Sequence, residues 1–272
     1  MIDSSGPAVP ISTTLQAFLA RAERYYAGLI AEVVTPGSAP DEDPGLGGQL
    51  LYAGQLDTHG RRLIVAANIA GAATLAATVD EAVQKQAFRD GVVDFLVTSL
   101  DEALRILKNQ LRKRETVAVC VAQAPETVQL GMLERGVLPD LLRPTDESSP
   151  NSPFVVQGAR QILIPTLDEN SALLTWRVAA SPAQWLPRLD AIALECVPPE
   201  NWPARRWLRL APRYLGRLAQ GTRLLSCDRA IAADFIERVR GLVESGVIAI
   251  PVEMQLRVPG PQPERSFRFE KS

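Results

Sequence analysis

Between Gly48 and Leu142 short apolar runs alternate with helical patterns, and this alternation limits the chain to few folds. Strands are expected at Gln49–Ala53, Ala73–Val79, Val92–Val97, Val117–Val121 and Leu138–Leu142. Helices are expected at Arg62–Ala70, stopped by Gly71, at Asp80–Asp90, after Ser99, and at Ala124–Arg135. Ser99-Leu100-Asp101-Glu102 has the form of a capping box, in which the hydroxyl takes the third amide and the carboxylate reaches back. The helix that follows places its acids early and Lys108, Arg112, Lys113 and Arg114 late, as the macrodipole favours. Strands and helices in strict succession imply a parallel sheet with helices on its faces. The strands are apolar throughout, as strands covered on both sides should be. Ligands of such sheets bind beyond the carboxyl ends of the strands.

The flanking regions are less regular. Residues 1–12 read as a flexible lead-in. A helix runs from Thr13 to Gly28, with Leu15, Phe18, Leu19, Ala22, Tyr25 and Tyr26 on one face. Pro36–Gly48 reads as a loop. The expected domain is 13–149, followed by an α/β continuation or subdomain at 150–256 and a tail at 257–272. Within the second part, Gln161–Leu167 and Ala172–Val178 form an expected strand pair. Leu189–Cys196, Arg223–Ser226 and Val247–Val252 are expected strands, and Ala230–Ser245 an expected helix. Ala204–Leu218 is an expected helix interrupted at Pro212.

The 272 residues are 46% apolar, with 29 basic and 31 acidic side chains and a net charge of −2. That composition belongs to a globular chain and not to a general polyanion binder, so no nucleic acid is expected. Three dispersed cysteines and one histidine give no disulfide framework and no metal site. No apolar run approaches the ~20 residues that a membrane span needs. Met1–Ser5 lacks a basic leader segment. A cytoplasmic setting without membrane association is expected.

The segment from Thr14 to about Ser149 resembles the central Rossmann-like domain of urocanase, the NAD-dependent urocanate hydratase of histidine breakdown. The resemblance rests on Thr14-Leu15-Gln16-Ala17-Phe18, Ala66-Ala67-Asn68-Ile69-Ala70-Gly71 and Thr78-Val79-Asp80. It continues through Ser99-Leu100-Asp101-Glu102-Ala103-Leu104 and Glu134-Arg135-Gly136-Val137-Leu138-Pro139-Asp140, with a fainter echo at Ile231–Gly246. It implies an α/β fold with a Rossmann-like parallel sheet and helices on both faces. By the same resemblance, Thr58, Gly60, Thr78, Asp80, Gln123, Ala124 and Ser149 stand where the family holds its cofactor. The departures are concentrated there. The family's glycine run, which admits the NAD pyrophosphate because a Cβ would block its approach to the amides, reads Leu56-Asp57-Thr58-His59-Gly60-Arg61-Arg62. Asp57 would repel a diphosphate. Thr78 replaces the acid expected to hold a ribose, and Ala122-Gln123 replaces Gly-Asn. The family's region carrying the catalytic cysteine has no counterpart, and the chain is about half the usual length.

Other candidates are weighed on their own chemistry. His59 could donate a proton near neutral pH; as part of Asp-Thr-His-Gly it reads instead as a solvated turn residue. Asp80, Ser99 and Glu102 are explained by helix capping. Cys120 reads as a buried strand residue and Cys227 as the more accessible thiol. Arg205, Arg209, Arg213 and Arg217 repeat every four residues, with Trp202, Trp207 and Tyr214 interleaved. On one helical face their guanidiniums could fork onto carboxylates or phosphates.

These readings lead to a non-catalytic binding or interaction protein derived from urocanate hydratase and linked to histidine catabolism, with no catalytic residues assigned. No cofactor is expected, with NAD left open. Two alternatives remain: an NAD-dependent hydratase-type lyase, and an arginine-rich adaptor for an acidic partner or anionic small molecule. Homo-oligomerisation is left open.

Overall fold

The computed structural model describes residues 13–33, 44–144, 152–219, 221–261 and 264–271. The expected lead-in at 1–12 and most of the expected loop at 36–48 lie outside these residues. Helix α1 (Thr13–Ala31) runs past the expected end at Gly28; of its expected face Leu19, Ala22, Tyr25 and Tyr26 are buried and Leu15 and Phe18 half-buried, and Leu29 and Ile30 are buried beyond it. The chain divides into two units, Arg24–Pro165 and Met1–Glu23 with Thr166–Ser272.

The first unit follows the alternation read from the sequence. Its elements are β1 (Leu50–Gln55), α2 (Thr58–Ala70), β2 (Ala73–Ala77), α3 (Glu81–Arg89), β3 (Phe95–Val97) and α4 (Leu100–Lys113). They continue as β4 (Val117–Val121), α5 (Pro125–Glu134), β5 (Leu141–Leu142), α6 (Pro153–Val156) and β6 (Arg160–Gln161). The six strands pair in parallel in the order β3-β4-β2-β1-β5-β6. One face carries Leu50, Tyr52, Leu75, Val119 and Val121 against Leu100, Ala103 and Leu107 of α4 and Val128 and Met132 of α5. Leu51, Ala53, Ala76 and Ala118 alternate with these and are also buried, on the side where α2 packs. The connections leave β1 in one direction and return to β5 on its other side. The switch point of the sheet therefore lies between the carboxyl ends of β1 and β5.

Several expected bounds shift: β1 runs on to Gln55 and β2 stops at Ala77 rather than Val79. Helix α2 begins at Thr58 and not at Arg62, because Asp57 caps it. Strand β3 keeps three residues of the expected Val92–Val97. Strand β5 keeps two of Leu138–Leu142, since Pro139 carries no amide for a ladder.

The second unit holds β7 (Ser171–Arg177), α7 (Pro182–Cys196), α8 (Trp202–Ala219), β8 (Thr222–Asp228), α9 (Arg229–Glu244), β9 (Val252–Arg257) and β10 (Arg265–Phe269). Its four strands form a separate antiparallel sheet in the order β10-β9-β7-β8. Trp176 of β7 meets Phe235 of α9 edge to face at 5.1 Å between centroids.

Here the expectations need more correction. Leu189–Cys196 is the last half of helix α7, not a strand: Leu186, Leu189 and Ala193 are buried at helical spacing. A short apolar run does not separate the two periods by itself. Gln161 belongs to β6 in the parallel sheet, and β7 pairs with β8 and β9, so Gln161–Leu167 and Ala172–Val178 are not partners. The expected strand at Val247–Val252 only begins at Val252, after Pro251, and runs on to Arg257. The expected tail at 257–272 contains β10, whose Phe267 lies opposite Met254 of β9. Helix α8 continues through Pro212, with Trp207, Leu208, Ala211 and Leu215 buried on both sides of it. Cys227 is buried, and Cys196 is the more accessible of the two.

Candidate functional site

The carboxyl edge of the parallel sheet brings most of the sequence candidates together. Asp57 leaves β1 in extended conformation and caps α2, its Oδ1 accepting the Gly60 amide at 2.7 Å. Arg143, just past β5, reaches across the switch point. Its Nη2 donates to Asp57 Oδ2 at 3.0 Å and its Nη1 to the Gln55 carbonyl at 3.3 Å. Burial pushes the Asp57 carboxyl up. The hydrogen bonds from Arg143 and Gly60, together with the Arg143 charge, outweigh this and hold it below the usual carboxylate range. The amino end of a helix attracts anions because its first amides are unpaired and its dipole is positive. In this helix the attracted anion is the chain's own carboxylate, and a diphosphate brought to the same amides meets a negative charge. Gly60 serves packing: a Cβ there would fall inside van der Waals contact of the Gln55 carbonyl oxygen.

The end of β2 is occupied as well. Thr78 is buried, and its hydroxyl accepts from Gln55 Nε2 and from the Asp80 amide, both at 3.2 Å. Gln84 Nε2 donates to the Thr78 carbonyl at 2.7 Å. Asp80 caps α3 by accepting the Ala82 and Val83 amides at 2.9 and 3.1 Å. Gln123 Nε2 donates to the Thr98 carbonyl at 3.0 Å, and Ala124 begins α5 without a side-chain cap. Ser149 lies outside the described residues. Thr58 and His59 are exposed in the first turn of α2, so His59 is solvated as expected but belongs to a helix and not to a turn; its Nδ1 lies 3.2 Å from the hydroxyl of Tyr25. Sequence reasoning missed Arg143, Gln55 and Tyr25. A basic residue directly after β5 was the available signal for Arg143, but its partner lies 86 positions away.

The arginine series does not act as one stripe. Arg205 donates to the Leu194 and Val197 carbonyls at 2.8 and 2.7 Å, closing the carboxyl end of α7. Arg209, Arg213 and Arg217 are exposed on α8, and Arg213 lies 5.3 Å from the centre of the Tyr214 ring. Burial pushes all three thiols up to about 12, which leaves little thiolate at neutral pH.

The stretches most like the urocanase pattern hold the scaffold. Asn68 Nδ2 donates to the Val92 carbonyl at 3.3 Å, and Gly71 ends α2 in the left-handed region at φ 97°. Ser99 caps α4 through the Glu102 amide at 3.2 Å. Arg135 Nε pairs with Asp101 at 2.8 Å, joining two of these stretches. Asp140 Oδ2 accepts the Leu50 amide at 2.7 Å, fixing the start of β1.

Residues 46–156 match the family model described as the urocanase Rossmann-like domain. The chain is also similar to an S-methyl thiourocanate hydratase of Variovorax sp., with 26% identity over 150 residues. That alignment covers 54% of this chain and 24% of the relative, so about a quarter of the relative's length is matched. The order of strands, the helices on both faces and these matches agree: residues 46–156 form a urocanase-like Rossmann domain.

Proposed function

We propose that this chain is a binding or interaction protein built on a urocanase-like Rossmann domain, working beside enzymes of histidine breakdown and not itself hydrating urocanate. The observation that carries the reading is the Asp57 carboxylate seated on the amino end of α2 beneath Arg143. A dinucleotide would need that space and those amides for its diphosphate. Most of the motifs that carry the resemblance serve the scaffold, and the departures read at Asp57, Thr78 and Gln123 fall on the crevice, which supports a fold kept after its cofactor is lost. A cytoplasmic setting is part of the proposal. Among the described residues no helix is long and apolar enough to cross a membrane.

The test uses the full chain. The purified protein is denatured and the supernatant examined for NAD by its ultraviolet spectrum, and urocanate is incubated with the native protein while its absorbance band is followed. No released dinucleotide and an unchanged band are expected. Stoichiometric NAD, or loss of the band, would overturn the proposal in favour of a hydratase-type lyase.

A second reading, an adaptor for an acidic partner, is favoured by one observation: α8 carries five arginines and no acid. Arg209, Arg213 and Arg217 changed together to glutamine should then abolish binding of a polyglutamate peptide while the far-ultraviolet circular dichroism stays the same. Arg205 is left in place because it closes α7. Unchanged peptide binding would eliminate this reading.

A further inference from the structure

Resting on the closed-crevice reading above, we infer that Asp57 is a built-in replacement for a ligand anion, which neutralises Arg143 and the amino end of α2 so that the Rossmann-like domain is complete with nothing bound. Two cationic features converge on this one carboxylate from different parts of the sheet. Oδ1 takes the Gly60 amide of the helix that follows β1, and Oδ2 takes Nη2 of the arginine that follows β5. The two strands flank the switch point, where a Rossmann-type sheet places its ligand. Arg143 is held in aim by its second nitrogen on the Gln55 carbonyl. The hydrogen bonds from Arg143 and Gly60 and the Arg143 charge hold the carboxyl below its ordinary value, so the fold favours its ionised form.

Asp80 provides the internal comparison. It caps α3 with the same chemistry, accepting two amides, but it is exposed and no arginine is bonded to it among the described residues. Asp80 is a helix cap and nothing more; Asp57 is a cap and the partner of a cation that crosses the sheet. Removing Asp57 therefore leaves Arg143 and the first amides of α2 without their anion, and removing Asp80 strands no such cation.

The experiment follows thermal unfolding of the full chain with and without inorganic pyrophosphate. Asp57→Ser keeps a capping oxygen, so α2 still has an acceptor, but it removes the charge and opens space beneath Arg143. Wild type should not respond to pyrophosphate. Asp57→Ser should melt lower, and pyrophosphate should raise it by about 2–4 °C, in proportion to anion binding to the folded form. Asp57→Ser combined with Arg143→Gln should lose that rise, and Asp80→Ser should melt lower with no rise. If Asp57→Ser is recovered only unfolded, refolding with pyrophosphate reads the same property: recovery supports the inference and no recovery overturns it. A silent Asp57→Ser beside a silent wild type overturns this inference alone. A rise in wild type as large as in the variant overturns the closed-crevice reading with it.

Discussion

Gln55 at the end of β1 donates its side-chain amide to the hydroxyl of Thr78 just past β2, so the first two parallel strands are tied together at the edge where a ligand would enter. The same hydroxyl accepts the Asp80 amide. Thr78→Val keeps the shape and deletes the acceptor. The loss of both bonds should cost about 1–2 kcal/mol, read as a lower urea midpoint with unchanged slope.

Asp57 gives a pH dependence of definite sign. Its carboxyl lies below its ordinary value in the folded chain, so the folded state favours the ionised form. The stability it contributes is complete above its unfolded value, about 3.9, and disappears as the pH falls through the lower folded value. Stability of wild type relative to Asp57→Asn should therefore be constant from neutral pH down to mild acid and shrink below it. A difference that grows towards acid would contradict this.

Gly60, in the first turn of α2, tests the close packing of that helix on β1. Gly60→Ala would drive a methyl group into the Gln55 carbonyl and push α2 off β1. Overpacking of this kind costs about 1–3 kcal/mol. The expected outcome is reduced stability of the parallel-sheet unit, with faster amide exchange along β1 and α2.

The arginines of α8 should separate cleanly. Arg205→Ala removes two charged hydrogen bonds to the end of α7 and should destabilise the protein by about 1.5–3 kcal/mol. Arg213→Gln, exposed at the same helical spacing, should stay within ~0.5 kcal/mol of wild type. Chemical denaturation of the two variants decides it.

Thiol labelling offers a last check. All three thiols titrate far above neutrality, and only Cys196 is partly exposed. Under native conditions at pH 7 a thiol reagent should react slowly, Cys196 before Cys120 and Cys227. In denaturant all three should react rapidly. Mass spectrometry of the partly labelled protein identifies the order.

The parallel-sheet unit was largely legible because its signals are local. Asp80, Ser99 and Gly71 mark helix ends within three or four residues, and the strands are continuous apolar runs. The antiparallel unit was not, because its pairing is long-range. Trp176 finds Met254 across 78 positions, and Phe267 lies opposite the same Met254 on its other side. Leu189–Cys196 shows the same limit on a smaller scale, since eight apolar-rich residues fit either period until packing against α9 selects the helix.

At the crevice, the sequence by itself placed Thr58, Gly60, Thr78, Asp80 and Gln123 near the carboxyl ends of the strands and showed a carboxylate, Asp57, in the turn after β1. Only the tertiary structure decided what that carboxylate does. Arg143 and Asp57 meet because β5 lies beside β1 in space, and strand order is set by burial of both sheet faces rather than by neighbours in the chain.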